Sequence, residues 1–291
     1  MSANPAPHAP TSTNTNTPTI SSTTVNPTTV NPTTIAQAMT DLRDASPLVQ
    51  CLTNSVVTGW TANVLLASGA APAMIDNPHE AGDFARVASA VLINVGTPQD
   101  VTVAAMKAAA RSAHDCGTPW VLDPVAVGPL AWRTEVARHL LADSHPTIVR
   151  GNASEILALS GGAGGRGPET VETAEDAVPA SKVLAEQIQG VVAVSGPVDH
   201  VSTAEHTLRL ANGHRWLTKV TGVGCALGAL MAGYSAVAAP QLAAAAATAH
   251  LTVAADIAAE RSAGPGSFAV ALLDMLEALT AAELAEKVVL L

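Results

Sequence analysis

From Ile35 onward, short apolar runs alternate with helix-length segments, and this alternation restricts the fold more than any other feature of the sequence. The runs predicted to be strands are Leu48–Leu52, Ala90–Val95, Trp120–Leu122, Thr147–Val149 and Val191–Val194. Several are continuously apolar, which is typical of strands covered on both faces. Strands separated by helices require right-handed crossovers, so the pattern predicts an α/β fold with a mainly parallel sheet.

Other segments add detail to this prediction. The segment Pro98–Cys116 is predicted to be a helix, with proline in its first turn and Gly117 just beyond its end. Val198–Ala211 alternates in the manner of paired strands and predicts an antiparallel edge. Helices are expected from about Gly224 to the C-terminus.

Two low-complexity segments interrupt this order. Residues 1–33 are rich in Thr, Asn, Pro and Ser and repeat TVNPT, which predicts a disordered tail ahead of a single domain spanning residues 34–291. The glycine-rich run GGAGGRG at 161–167 is interpreted as a surface connection rather than a lid or a phosphate loop. It lacks the Lys-Ser/Thr pair of a Walker loop.

Charge and cysteine usage exclude some classes of protein. The net charge is −10 and the 14 basic residues form no stripe, so nucleic acid is not an expected partner. Cys51, Cys116 and Cys225 are odd in number and far apart, which argues against a disulfide framework and favours a reducing, cytoplasmic location.

No membrane association is expected either. No Lys or Arg precedes Arg43 and no apolar core lies before it, so a secretory signal is not predicted. The apolar stretch Ala226–Leu251 is mostly Ala and Gly and is interrupted by Pro240, which makes it a poor membrane span.

Polar residues that close the predicted strands are candidates for chemistry, because ligands of open parallel sheets bind at the carboxyl ends of the strands. Asp123 follows one strand and suits magnesium, although an Asx turn explains it equally well. After the next strand, Arg150 suits a phosphate. Asn152 and Glu155 form either part of a site or a helix capping box.

Two further positions complete the candidate set. Ser195 follows a strand and either donates a hydrogen bond to a nucleotide or begins a turn. In KVTGVGC, Gly222 and Gly224 open a long apolar helix whose amino terminus would attract anions. Cys225 lies in the first turn, where the helix dipole is expected to lower its pKa; the alternative is a glycine-rich turn with an inert, buried cysteine.

Eight motifs in register resemble the hydroxyethylthiazole kinase family of the ribokinase-like superfamily, over roughly residues 35–290. They are PLVQCLTN at 47–54, AN at 62–63, GAAPAM at 69–74, INVGT at 93–97, LDPVAVG at 122–128, PTIVRGNASEILAL at 146–159, VAVSGPVD at 192–199 and NGHRWLTKVTGVGC at 212–225. The resemblance implies a three-layer α/β/α fold with helices on both sides of the sheet.

It also implies ATP-dependent phosphorylation of 4-methyl-5-(2-hydroxyethyl)thiazole in thiamine salvage, by a homotrimer with active sites at subunit interfaces. The residues carried over by motif have four roles. Met74 and Gly222 would contact the thiazole, Arg150 and Ser195 would bind ATP, Asp123 and Glu155 would organise Mg²⁺, and Cys225 would stand where related kinases keep a catalytic Asp.

The sequence departs from the family pattern at three motif positions, none of which removes a group with a chemical role: Val223 for Thr or Ala, Ser195 for Thr, and Ala126 for Gly. Two rival functions stay open. One is a kinase for another vitamin alcohol, such as hydroxymethylpyrimidine. The other is a non-catalytic sensor of a vitamin or nucleotide.

Overall fold

The computed structural model describes residues 29–161 and 173–291. Within these ranges an eight-stranded sheet has the order β2-β1-β3-β4-β5-β6-β7-β8. Strands β1 to β6 pair in parallel, and β7 and β8 complete one edge in antiparallel pairing. The strands are β1 Leu48–Leu52, β2 Ala71–Ala73, β3 Ala90–Asn94, β4 Trp120–Asp123, β5 Ile148–Asn152, β6 Val191–Ser195, β7 Asp199–Ser202 and β8 Thr207–Leu210. The mainly parallel sheet and its antiparallel edge are confirmed.

Helices cover both faces of this sheet. They are α1 Pro32–Ala45, α2 Thr58–Ser68, α3 Ala81–Ala85, α4 Asp100–Cys116, α5 Ala131–Ser144, α6 Ala153–Leu159, α7 Val178–Ile188, α8 Val223–Ser235, α9 Pro240–Glu260, α10 Pro265–Ala278 and α11 Ala281–Lys287, with a 3₁₀ helix at Arg215–Lys219. One apolar core joins the sheet to α1, α2, α8, α9 and α10. A second core joins the opposite face to α3 through α7. The three-layer α/β/α arrangement follows from these two cores.

The strand boundaries differ from the prediction where polar residues continue a ladder. The fourth predicted strand, Thr147–Val149, is in fact β5, which begins one residue later and extends to Asn152. Its pairing with β6 continues until Asn152 lies opposite Ser195. Arg150 therefore lies inside a strand rather than after one. The three-residue strand β2 was not predicted.

The amino-terminal boundary also needs correction. Helix α1 begins at Pro32, inside the segment 1–33 that was assigned to the tail. The Asn31 side chain accepts a hydrogen bond from the Thr34 backbone N–H and the Thr34 hydroxyl accepts from the Asn31 N–H, so the repeat ends in a capping box. Residues 1–28, and all of the glycine-rich run except Gly161, lie outside the described residues.

Two helix predictions can be compared directly with the structure. Helix α4 begins at Asp100 rather than at Pro98 and ends at Cys116, where it is capped by Gly117 with a φ of +71°. The apolar stretch Ala226–Leu251 is divided between α8 and α9, with Pro240 in the first turn of α9. Helix α9 is long and apolar enough to cross a membrane, but 78% of its most apolar window is buried inside the protein, as expected of a core helix.

Candidate active site

The predicted site residues meet at the carboxyl edge of the sheet. Asp123 is the last residue of β4, Arg150 lies in β5, and Ser195 is the last residue of β6. The amino terminus of α8 lies over this edge, because α8 packs against β3 and β4. Neighbouring parallel strands thus bring together residues that are far apart in the sequence.

Arg150 is the centre of this cluster. Its Nη2 donates a hydrogen bond of 2.8 Å to Ser195 Oγ, and its Nη1 lies 3.9 Å from Asp123 Oδ2. A Cβ atom at Gly224 would lie 2.9 Å from Nη1 of the same guanidinium. The absence of a side chain at residue 224 thus lets the first turn of α8 lie against the guanidinium in this position.

A second glycine seats α8 against the sheet. A Cβ atom at Gly228 would lie 3.2 Å from the Leu92 side chain and 3.6 Å from Asp123 Cβ. Because both glycines face the strands, the helix backbone lies unusually near the arginine and the carboxylate. The spacing between the helix and these two groups is thus set by backbone atoms.

Asp123 is fully buried. Its Oδ2 accepts a hydrogen bond of 2.7 Å from Asn94 Nδ2, whereas its Oδ1 has no hydrogen-bond partner among the described residues. Burial raises the pKa of Asp123 to about 7, the Arg150 charge opposes that rise, the Glu155 charge adds to it, and the Asn94 hydrogen bond opposes it. A buried oxygen without a partner is costly unless a ligand satisfies it.

Glu155 performs the capping role that the sequence left open. One carboxylate oxygen accepts from the Asn152 N–H at 2.9 Å, and the Asn152 side chain accepts from the Glu155 N–H at 2.9 Å. The other carboxylate oxygen accepts from the Ala126 N–H at 2.8 Å. Glu155 thereby joins the start of α6 to the loop after β4, and Ala126 in that loop has a left-handed φ of +59°.

Cys225 lies in the first turn of α8, after Gly222, which has a φ of +88°. Its sulfur lies 3.4 Å from Asn54 Nδ2. The expectation of a lowered thiol pKa is wrong: burial raises the pKa of Cys225 and the Asp123 charge raises it further, while the Asn94 and Asn54 amides and the Arg150 charge oppose the rise. Desolvation, which disfavours the thiolate, is the largest influence on this thiol.

The two residues expected to contact the thiazole lie in different elements. Gly222 rests on α2, since a Cβ atom there would lie 2.5 Å from a Val57 methyl carbon and 3.3 Å from the Trp60 ring. Met74 directly follows β2, the strand beside β1, and packs half-buried against the same core as α8.

A cavity of about 630 Å³ opens beside Arg150. Its polar end includes Arg150 and Ser195. The remaining lining residues are Gly196, Pro197, Asp199, Asn212, Gly213, His214, Arg215, Leu217, Thr218, Val223, Gly224, Leu227, Leu251 and Thr252. A volume of this size suits a nucleotide-sized ligand.

Asp199 is a buried carboxylate of this cavity that the sequence analysis did not single out. Its Oδ1 accepts from the Gly196 N–H at 3.0 Å. Burial raises the pKa of Asp199 to about 6, and the Gly196 hydrogen bond and the Arg150 charge oppose the rise. Arg150 is therefore influenced by two buried carboxylates, Asp123 at the end of β4 and Asp199 at the start of β7.

Asn54 and Asn94 were also missed. Asn94 is the last residue of β3 and Asn54 follows β1 by two residues, so both satisfy the rule that polar residues closing a strand are candidates. Asn94 was hidden because the strand was predicted to continue to Val95. Asn54 is the last residue of the motif PLVQCLTN, but it was given no role of its own.

Comparison with known proteins gives a consistent family. A model described as the hydroxyethylthiazole kinase family matches residues 39–282. A hydroxyethylthiazole kinase of Clavibacter sepedonicus is 58% identical over 247 residues, which are 84% of this chain and 90% of that protein. The solved structure of a hydroxyethylthiazole kinase from Pyrococcus horikoshii OT3 has a TM-score of 0.82 and 36% identity, covering 88% of this chain and 98% of the other.

A more distant solved structure supports the architecture. A ribokinase-like superfamily protein from Enterococcus faecalis V583 has a TM-score of 0.62 at 12% identity, and the match covers 87% of this chain and 96% of the other. At that identity the likeness concerns the fold alone, which is ribokinase-like.

Proposed function

The chain belongs to the hydroxyethylthiazole kinase family, and we propose on that basis that it transfers a phosphoryl group from ATP to the hydroxyl of 4-methyl-5-(2-hydroxyethyl)thiazole. One observation carries this proposal: the glycine-lined start of α8 lies against Arg150 while the same turn presents Cys225. Phosphoryl transfer depends mainly on positioning and on offsetting negative charge. Both requirements meet at this helix terminus.

ATP would occupy the cavity beside Arg150. The first backbone N–H groups of α8 have no intrahelical partner and attract anions. Together with the Arg150 guanidinium they would hold the phosphates, and Ser195 would contribute its hydroxyl. The apolar residues Leu217 and Leu251 line the same cavity and suit the nucleoside.

Asp123 and Glu155 would hold Mg²⁺ at the strand ends. The Oδ1 atom of Asp123 is buried without a hydrogen-bond partner among the described residues, so an oxygen-seeking cation fits there. Each Glu155 oxygen accepts one backbone N–H and keeps a lone pair for a metal-bound water. The ion, when bound, neutralises charge on the phosphates.

Cys225 would position the alcohol. Because burial raises its pKa, the group is a thiol at neutral pH and serves first as a hydrogen-bonding partner of the hydroxyl. A loose transition state requires little deprotonation of the attacking oxygen until late, so a weak base suffices. Met74 and Gly222 would bind the thiazole ring and its hydroxyethyl arm.

A homotrimer with active sites at subunit interfaces is part of the same proposal. Several apolar side chains are exposed near the carboxyl edge, including Val56 at 67% and Trp132 at 45%. Val56 precedes Val57, which lies against Gly222, so a partner covering Val56 would border the alcohol site. The mass of the protein by light scattering tests this part, and a monomeric mass would contradict it.

A cytoplasmic location is also proposed. The three cysteines are free, and unpaired thiols are typical of a reducing compartment. Mass spectrometry of alkylated protein taken directly from cells tests this assignment, because oxidised cysteines would argue for another compartment.

An ATP-consumption assay tests the activity itself. We expect turnover with the thiazole alcohol and Mg²⁺, and loss of turnover when Mg²⁺ is chelated. Hydroxymethylpyrimidine serves as the matched alternative acceptor. Faster turnover on the pyrimidine would support the rival kinase, and thiazole binding without ATP consumption would support a sensor.

A further inference from the structure

Two asparagine side chains connect the Cys225 sulfur with the buried carboxylate of Asp123. Asn54 Nδ2 lies 3.4 Å from the sulfur and 3.0 Å from Asn94 Oδ1. Asn94 Nδ2 donates at 2.7 Å to Asp123 Oδ2. Asn54 and Asn94 are both buried, at 6% and 0% exposure. The result is a polar chain from the thiol to the carboxylate without a gap.

The hydrogen-bond donors and acceptors around the two asparagines determine which end of each side-chain amide is the oxygen and which is the nitrogen. Asn94 Oδ1 accepts from the Gly96 backbone N–H at 2.9 Å as well as from Asn54. Turning the Asn94 amide over would place its oxygen against the Asp123 carboxylate and its NH₂ against an N–H donor. Asn54 must therefore offer Nδ2 to Asn94, and the same nitrogen offers its second hydrogen to the sulfur.

Gly96 gives independent evidence that the pairing is specific. A Cβ atom at this position would lie 2.8 Å from both Asn54 Nδ2 and Asn94 Oδ1. Gly96 does not have a positive φ, so its backbone conformation does not require glycine. Glycine is required because the two amide groups occupy the space that a side chain at residue 96 would need.

We propose that Asn54, held by Asn94 and Gly96, is a positioning residue that fixes the orientation of the Cys225 thiol toward the alcohol. Since the sulfur accepts a hydrogen bond from Asn54, its own hydrogen is left for the substrate hydroxyl. The same chain keeps the sulfur at a set distance from Asp123. This inference rests on the proposed function.

A double-mutant cycle tests the inference. We expect Asn54→Ala to lower kcat about tenfold, the value of one hydrogen bond worth about 1.4 kcal/mol, while the KM for ATP changes less than about twofold. In a Cys225→Ala background, the same substitution should change single-turnover rates less than about twofold. Equal losses in both backgrounds, or no loss in the parent, would overturn the inference.

Two glycine variants provide a matched pair that leaves the asparagines intact. Gly96→Ala should reproduce the fall in kcat, because the added methyl group separates the amides. Gly59→Ala is the control, since no atom lies within 4 Å of its Cβ position, and it should retain parental turnover. Thermal melting of each variant identifies any that fails to fold.

A reactivity measurement separates this inference from the proposed activity. With Cys116→Ser and with Cys51 buried, iodoacetamide should modify Cys225. Loss of the Asn54 donor should slow that modification several-fold at fixed pH, because hydrogen bonds to sulfur favour the thiolate. An unchanged rate would overturn the inference even if the thiazole alcohol is phosphorylated. A slowed rate without phosphorylation of the alcohol would support the hydrogen bond from Asn54 to the sulfur and contradict the proposed function instead.

Discussion

Replacing Asp123 by Asn should stabilise the ligand-free protein while abolishing magnesium-dependent turnover. The carboxylate is fully buried and its ionisation is opposed by desolvation, so its pKa rises from 3.8 to about 7 even with Arg150 nearby. Asn has a similar shape, and its carbonyl oxygen still accepts from Asn94. The substitution therefore removes a buried charge without removing the packing.

The size of the effect follows from the pKa of Asp123. A rise from 3.8 to about 7 corresponds to about 4 kcal/mol, at about 1.36 kcal/mol for each pKa unit. Below about pH 4 the carboxyl is protonated in both the folded and the unfolded chain, so ionisation costs the fold nothing. As the pH rises from about 4 to about 7, the unfolded chain loses this proton before the folded chain does, so the free energy of unfolding of the parent falls. The advantage of Asp123→Asn should thus grow from near zero at pH 4 to at most about 4 kcal/mol at pH 8.

Urea denaturation at several pH values, without ATP or metal, measures this difference. Asp274→Asn is the control, because Asp274 is exposed on α10 and its replacement should change stability by less than about 0.5 kcal/mol. A difference between Asp123→Asn and the parent that does not vary with pH would refute the reasoning, as would a variant less stable than the parent at pH 8.

Three further substitutions test separate parts of the site. Cys225→Ala should lower kcat far more than it weakens thiazole binding, measured by calorimetry, and equal turnover would reject a chemical role for the thiol. Gly224→Ala should raise the KM for ATP about tenfold, because a Cβ atom there would lie 2.9 Å from Arg150 Nη1 and displace the guanidinium from its place beside Ser195; an unchanged KM would mean that ATP binding does not depend on this position of the guanidinium. Ala126→Gly should raise the free energy of unfolding by about 1 kcal/mol, since φ is +59° and a left-handed conformation strains alanine; a lower melting temperature would contradict this.

Controls for these variants lie on the same chain. Gly266→Ala in α10 adds a methyl group where no atom lies within 4 Å, so ATP binding should be unaffected. Cys116→Ser changes an exposed cysteine far from the carboxyl edge and should retain turnover.

The sequence predicts the sheet and its site where local pattern and topology agree. Leu48–Leu52 is bounded as predicted because every residue except Gln50 is apolar and the strand lies between helices on both faces of the sheet. The grouping of Asp123, Arg150 and Ser195 follows from the parallel topology alone, since neighbouring strands end at the same edge. Such predictions need no knowledge of side-chain packing.

Other features depend on contacts that local pattern does not contain. The strand Ala71–Ala73 has three residues, one of them proline, and is held by its pairing with β1. The direction of the Cys225 pKa shift depends on how deeply the folded chain buries the thiol beside Asp123. The asparagine pair requires Gly96 to bring residues 40 positions apart into hydrogen-bonding distance.

The seating of α8 has a consequence for how the protein responds to a nucleotide. Because Gly224 and Gly228 lie against the Arg150 and Leu92 side chains, α8 is packed directly on the strands. We therefore expect this helix to keep its position when a nucleotide binds. The short helix Arg215–Lys219 also lines the cavity; none of its residues is fully buried, although Trp216 and Leu217 pack against the core. Any adjustment of the cavity to ATP is therefore expected at residues 215–219 rather than at α8.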